Sequence, residues 1–444
     1  MSIFTGVKMN PPNPLNDRFA IAHAGIVSRQ RSVGKTHQAV GLGSHHVSKR
    51  QGKGHHDAKK NTHKPAAAPT PTVTPPTVTP PTVTPPTIPT IPTGLKVFSS
   101  NIDVGVGSVS FNIVISGEYA YVIVTDSNYL SSVSIINTTS SAIVKSVALG
   151  VSSGLPASIA ISGNYAYITN FDDHTLSVLD ISIPSTASVV KTVPVGSGPA
   201  SIASSGNYAY IVNYNDNTVS VLDISIPSTA SVVKTVPVGP VPTYITISGN
   251  YAYVANSFNS SSLSVLDISN PSNATLAKTV TFGGADPQYI AISGNYAYVS
   301  TGNVVSVLDI SIPSNANVVK TVSVGFASTY IAISGNYAYV ANSTGNSVSV
   351  LDISNPSNAT LAKTVTVGDA SPQYITISGN YAYVASENPN VATGGTVSVL
   401  DISTPSNTTL VNTVTVGGNP QFIASNSSCV YVTNSETNNV TVLK

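Results

Sequence analysis

Hydrophobic and polar residues alternate in short runs along most of this chain, and the runs recur as a set. The stretch 329–368, TYIAISGNYAYVANSTGNSVSVLDISNPSNATLAKTVTVG, holds four of them: TYIAIS, NYAYVANS, SVSVLDIS and TLAKTVTVG. Each is rich in Val, Ile, Thr and Tyr, and each is bounded by Gly, Asn, Ser or Pro, so each reads as a strand. Four strands in a row joined by short turns predict an antiparallel meander. A single sheet of that size cannot bury both faces, so successive copies must pack on one another.

The second Tyr of the Tyr-Ala-Tyr triplet measures the repeat. It falls at Tyr121, Tyr167, Tyr210, Tyr253, Tyr298, Tyr339 and Tyr383, with a degenerate eighth copy at Tyr431. A period in the forties with four strands per unit predicts an all-β propeller of four-stranded blades. The last copy ends at NNVTVLK, one strand short, and the first is preceded by an extra strand-like run, LKVFSSNIDVGVG. Circular closure accounts for both ends: the N-terminal run completes the last blade, and no sheet edge is left at the seam. Eight blades are expected, with seven the alternative if the degenerate copy folds differently.

Residue roles follow from position in the repeat. Ser-Gly-Asn between the first two strands, as at 162–164 and 334–336, predicts tight hairpins in which Gly and Asn take positive φ. Tyr-Ala-Tyr places two bulky side chains on one face and a small one on the other, so neighbouring blades interlock. The Asp of Leu-Asp-Ile-Ser recurs at Asp180, Asp223, Asp267, Asp309, Asp352 and Asp401, replaced by Asn137 in the first copy. An Asp before a Pro turn in every copy reads as a cap for turn amides, since a catalytic carboxylate would stand once. Lys145, Lys191, Lys234, Lys278, Lys320 and Lys363 share one position in the fourth, outermost strand, where a cation discourages sheet-to-sheet pairing.

The meander also separates two faces. Turns between strands one and two, and three and four, lie on one face and scarcely vary. Loops between strands two and three, and the crossovers, lie on the other and vary: NFDDHT, NYNDNT, NSFNSSS, ENPNVATGG and GGADPQ. Variable loops on a repetitive scaffold are where a partner is recognised. The candidate partner-binding residues are therefore Asp172, Asp173, His174, Tyr214, Asp216, Phe258, Asp286 and Glu387.

Tyr431-Val432-Thr433-Asn434 and the YVAN runs at 253–256 and 339–342 resemble the YVTN β-propeller repeat, and LDISNPSN resembles the related LVIVD repeat. The resemblance covers 95–444. It implies a propeller, commonly on cell-surface or secreted proteins, and carries over no catalytic residues.

Composition adds a second part to the picture. The chain has 444 residues, one Cys, no Trp and 8% charged residues. Residues 1–64 hold 11 of the 19 Lys and Arg but only 2 of the 18 acidic residues, and seven of the eight His. A basic tail thus precedes an acidic body, and its scarcity of large apolar residues predicts disorder. Residues 65–93 are a Pro/Thr run that favours polyproline II, a stiff spacer of roughly 80–90 Å at ~3.1 Å per residue. The propeller is expected over 94–444.

The chemistry of enzymes is sparse. Gly34-Lys35-Thr36 lacks the first Gly of a phosphate-binding loop, Arg29 standing there. The tail His pairs are a solvated, spaced set without fixed metal geometry. In the propeller His174 is the single imidazole, and no nucleophile marks it. No catalytic, cofactor or metal residue is assigned. Sequons occur at Asn137, Asn259, Asn273, Asn342, Asn358, Asn407, Asn426 and Asn439, as chance allows in a chain rich in Asn, Ser and Thr.

Two functions compete. One is a non-catalytic display, adhesion or scaffold protein whose loops bind a protein or glycan, with the tail held to a polyanion or acidic surface. No secretory signal and no membrane-spanning stretch is expected, which points to a large-virus structural component or a cell-surface location. The other is a lactonase-like hydrolase with a metal in the central channel. That requires His, Asp or Glu on the inner strands, and SFNIVIS, ASIAIS, ASIASS, TYITIS, QYIAIS, TYIAIS, QYITIS and QFIASN contain none.

Overall fold

The computed structural model describes residues 100–105, 109–150, 156–257, 261–284, 286–368, 371–387 and 394–444. The chain divides into Met1–Thr84 and Pro85–Lys444, and all described residues belong to the second. The basic tail and the Pro/Thr run lie outside them.

Eight four-stranded antiparallel sheets form eight blades. Blade 6 is representative: Ser328–Ser334, Tyr337–Asn342, Ser347–Asp352 and Thr360–Thr366 pair in sequence order. First strands of successive blades pack on one another, so they ring the channel and the fourth strands form the rim. Blade 8 takes its outer strand from the other end of the chain. Ser100–Asp103 pairs antiparallel with Asn439–Leu443, Ile102 facing Val440. The predicted closure and the predicted count are both observed. A further bond spans the seam: the Tyr431 hydroxyl donates to the Thr138 carbonyl at 3.0 Å.

Blade-to-blade packing follows the alternation of large and small side chains. On one side of blade 3, Tyr210, Val212, Val219 and Val221 meet Ile245, Ala252, Val254 and Leu266 of blade 4. The Tyr face of each blade thus lies on the Ala face of the next. Second strands are buried on both faces, and Tyr167, Tyr210, Tyr253, Tyr298, Tyr339 and Tyr431 are among the largest fully buried side chains. Burial pushes the hydroxyl of Tyr167 up to about 12, as for its equivalents in blades 3 to 6. These phenols are neutral packing groups.

The second strand ends on a polar residue that is fully buried: Asn170, Asn213, Asn256, Asn342 and Asn434 in five blades. Asn213 donates from Nδ2 to the hydroxyls of Thr218 and Ser220, each at 2.9 Å. The crossover from the preceding blade passes directly over it. A Cβ on Gly196 would stand 2.5 Å from the Asn213 side chain, and Gly239 and Gly325 lie as tightly on Asn256 and Asn342. After the outer strands of blades 2, 3 and 5 the Val-Gly is therefore a close-approach glycine, and the Asn of the tetrapeptide is what it approaches. Asn342, read as a sequon, has 0% exposure and no room for a glycan.

Three local details differ from the sequence reading or add to it. In the Ser-Gly-Asn hairpins only Gly takes positive φ, near 55° as at Gly163 and Gly335, whereas the Asn stays at negative φ. A two-residue loop with positive φ at its first position follows the II′ pattern, in which the second residue needs no special conformation. In blades 2 to 7 the third-to-fourth connection contains a 3-10 turn with Pro leading, Pro356–Asn358 in blade 6. Each fourth strand of blades 1 to 7 carries a bulge beside the recurring Lys position, between the partners of Val178 and Leu179 in blade 2. The bulge twists the rim strand, so edge protection is doubled.

Asp capping is observed at each expected position. Asp180, Asp223, Asp267, Asp309, Asp352 and Asp401 accept from the amide of the Ser two residues on, all at 2.9 Å. Hydrogen bonds from that Ser hold the carboxyls of Asp180, Asp223, Asp267, Asp309 and Asp352 below the ordinary aspartate range. A depressed carboxyl contributes stability that is complete above its unfolded pKa and is lost as pH falls through its folded pKa. The thermal midpoint is accordingly expected to be flat from neutrality to about pH 5 and to fall below the ordinary aspartate value. Each cap is solvated, so each contribution is small. Calorimetry across that range tests this, and replacing all five Asp by Ala should flatten the acid limb.

Candidate functional site

The variable face is braced by its own backbone and side chains. At the junction of blades 2 and 3, the loop 171–174, the crossover 195–199 and the loop 214–217 converge. His174 sits in left-handed conformation, φ 57°, and its carbonyl accepts from the Val195 amide at 2.9 Å. Its Nε2 lies 3.4 Å from the Ser197 hydroxyl. Its Nδ1 is 3.0 Å from the Phe171 carbonyl and 3.2 Å from the Gly198 amide, contacts that require opposite tautomers. Asp216 accepts from the Ser197 amide at 2.7 Å, and Asn215 donates to the Ser197 hydroxyl at 3.2 Å. The rings of Phe171 and Tyr214 meet 6.0 Å apart at 59°.

Ser197, His174 and Asp216 share a corner, but not as a hydrolytic triad. Nucleophilic activation requires the acid on the imidazole, where it fixes the tautomer. Here Asp216 holds the serine backbone instead. The arrangement is that of a rigid loop cluster exposing an imidazole, two aromatic rings and carboxylates.

The structure thus gathers His174, Tyr214 and Asp216, with Asp172 and Asp173 in the same loop. One oxygen of Asp173 is buried and without a hydrogen-bond partner. The other predicted residues stand elsewhere on the face. Asp286, between blades 4 and 5, accepts from the Ser261 hydroxyl at 2.9 Å. Glu387, at the end of the second strand of blade 7, has its carboxyl pushed up by burial and by the nearby Glu436. Phe258 lies outside the described residues.

A second feature lies in the channel, where the sequence reading weighs the first strands only as places for a metal ligand. Register aligns one position in seven blades, Asn112, Ser158, Ser201, Tyr244, Tyr289, Tyr374 and Phe422, and the repeat places Tyr330 at the same point of blade 6. The five aromatic residues form a continuous arc. Centroids are 4.5 Å apart for Tyr244 and Tyr289, 3.8 Å for Tyr289 and Tyr330, 5.3 Å for Tyr330 and Tyr374, and 4.4 Å for Tyr374 and Phe422. Burial pushes all four Tyr hydroxyls above their ordinary range, so they stay neutral. The rings sit deep in the toroid yet keep part of their surface open. The signal for this arc was present as aromatic residues at the head of five first strands, in TYI, QYI and QFI.

Among the described residues no group of three or more His, Cys, Asp or Glu is placed to hold a metal ion. No described helix is long and apolar enough to cross a membrane.

The LVIVD repeat model matches the chain seven times, at residues 107–148, 153–194, 198–237, 243–281, 284–324, 327–367 and 368–416. The chain belongs to the LVIVD repeat family. Those matches are blades 1 to 7, and the degenerate blade 8 lies beyond them. No curated protein matches the chain. Solved structures similar to this LVIVD propeller share its fold at low identity. The computationally designed Ika8 protein aligns at 15% identity and TM-score 0.61, over 77% of this chain and 98% of that one. A protein from Lactobacillus plantarum aligns at 17% and 0.52, over 76% and 99%. A candidate 6-phosphogluconolactonase from Bacteroides fragilis aligns at 15% and 0.51, over 70% and 95%. At such identities the likeness concerns the fold of the LVIVD propeller alone.

Proposed function

We propose that this LVIVD propeller is a non-catalytic display or adhesion module, whose variable-loop face binds a protein or glycan and whose basic tail holds an acidic surface. The observation that carries the reading is the cross-bracing at blades 2 and 3. Loops that differ between copies are pinned to the crossovers by His174, Asn215 and Asp216. Binding groups on pinned loops lose little entropy when a partner docks. The opposite face repeats one capped turn and offers no comparable variety. A particle or cell surface is the proposed location, and the tail's partner would be a polyanion there.

The hydrolase reading finds less support. A lactonase-like metal site needs acidic or imidazole ligands facing the channel, and the aligned positions carry Asn, Ser, Tyr and Phe.

Co-sedimentation with envelopes or particles from the source organism tests the proposal. Replacing the loops 171–174 and 214–217 by the two-residue turn of blade 5, Gly302 and Asn303, should lower retention at least tenfold, with Asn170 and Asn213 kept so that the blade core is undisturbed. Unchanged retention would move the partner off this corner. Turnover of 6-phosphogluconolactone with added Zn²⁺ or Mg²⁺ would replace the proposal by the hydrolase.

A further inference from the structure

The aligned channel positions fall into two unequal arcs. Blades 4 to 8 fill theirs with aromatic rings, whereas blades 1 to 3 carry Asn112, Ser158 and Ser201. Where a Tyr ring stands on one side, a short polar side chain stands on the other: Asn112 and Ser158 are partly exposed, and Ser201 is buried. Tyr244 ends the arc. Its ring meets that of Tyr289 at 41° on one side, and its neighbour round the ring on the other is Ser201, which is buried. Centroid spacings of 3.8–5.3 Å around an eightfold ring place the ring centres roughly 6 Å from the axis. A ring of that radius is wide enough for a small molecule or the end of an extended chain, never a folded domain.

We propose that the channel binds a neutral saccharide, one sugar ring lying against the end of the aromatic arc at Tyr244 with its hydroxyls turned to Asn112 and Ser158. This site is separate from the variable-loop corner, and the proposal does not rest on that reading.

Three observations choose the ligand class. First, no Asp, Glu, Lys, Arg or His occurs in any of the eight first strands. A phosphate or carboxylate would be desolvated there without a counter-charge. Second, an apolar ligand would cover Asn112 and Ser158, both partly exposed, and leave their polar atoms unpaired. Third, a sugar has C–H faces that lie flat on an aromatic ring and a rim of hydroxyls that pair with amides and hydroxyls. The channel offers both kinds of surface, side by side.

The test is isothermal calorimetry on the full chain with cellotriose and maltotriose, and with sialyllactose as an anionic trisaccharide. At least one neutral trisaccharide should bind with Kd on the order of 0.1–1 mM, and sialyllactose should bind at least tenfold more weakly. Tyr244→Ala should weaken the neutral sugar at least tenfold. Ser158→Tyr should abolish binding by filling the open arc. Blades 4 to 7 already carry Tyr at this position, so the fold has a place for it, and the thermal midpoint of each variant is checked. Exchange of the 171–174 and 214–217 loops should leave sugar binding unchanged. Failure of both neutral sugars overturns the proposal, as does equal binding of sialyllactose. Binding indifferent to Tyr244→Ala and Ser158→Tyr places the sugar elsewhere and also overturns it. Saturation by indole with no sugar binding would assign the channel to planar aromatic ligands instead.

Discussion

On a heparin column, the full chain is expected to be retained well past physiological salt, whereas residues 94–444 alone pass through. The charge distribution sets this result. Residues 1–64 carry 11 Lys and Arg against 2 acidic residues, a net of +9, and the remaining residues carry 8 against 16, a net of −8. Each cation that neutralises a fixed anion releases a condensed counterion, so affinity falls steeply as salt rises. With 6–10 such contacts, the loss between 50 and 200 mM salt is about 10³–10⁵-fold for duplex DNA. Residues 1–64 alone should elute with the full chain. The propeller is acidic, and its recurring Lys side chains are dispersed one per blade on the rim, so it should be repelled. Equal retention of residues 94–444, or tail binding that ignores salt, would discard the tether and leave partner binding to the loops.

The second large effect is expected at the closure strand. A chain starting at residue 94 should melt within a few degrees of the full protein, because the residues removed contribute charge, His and Pro in place of a core. A chain starting at residue 106 should melt far lower. It loses Ser100–Asp103 and all four of its pairings with Asn439–Leu443. Ile102, 7% exposed, leaves a cluster with Ile113, Val122, Tyr431, Val440 and Val442. Removing a buried Ile side chain costs about 2–5 kcal/mol by itself. Unpairing the strand adds to this and exposes a hydrophobic edge. Differential scanning calorimetry with size-exclusion chromatography reads both outcomes, and aggregation of the shorter chain is the expected companion of its lower midpoint. Equal midpoints for the two truncations would show that blade 8 needs only three strands.

Much of this molecule was legible because the repeat states the same local instructions six to eight times. Alternation with period two marks the strands, Gly in a two-residue turn marks the hairpins, and the Asp before Pro marks a capped turn. Each depends on neighbours a few residues away, so a window of sequence contains its cause. The closure was legible for a related reason: a missing strand at one end and a spare one at the other have a single pairing that leaves no edge.

What lay outside the sequence reading depends on residues brought together from different blades. Tyr244, Tyr289, Tyr330, Tyr374 and Phe422 are each separated by a whole repeat, and although TYI, QYI and QFI mark them locally, no local pattern says that their rings meet. Only the ring places them ring to ring and sets the short side chains of blades 1 to 3 opposite. The same holds for Gly196 on Asn213, where two positions invisible to each other in sequence meet across a blade boundary. It holds at the loop corner too. The sequence by itself determined the blade, the number of blades, and which face varies. The tertiary structure decided that His174, Tyr214 and Asp216 form one cluster while Asp286 and Glu387 stand apart. Strand pairing is specified by local pattern, but distance between loops is specified only by the order of blades around a closed ring.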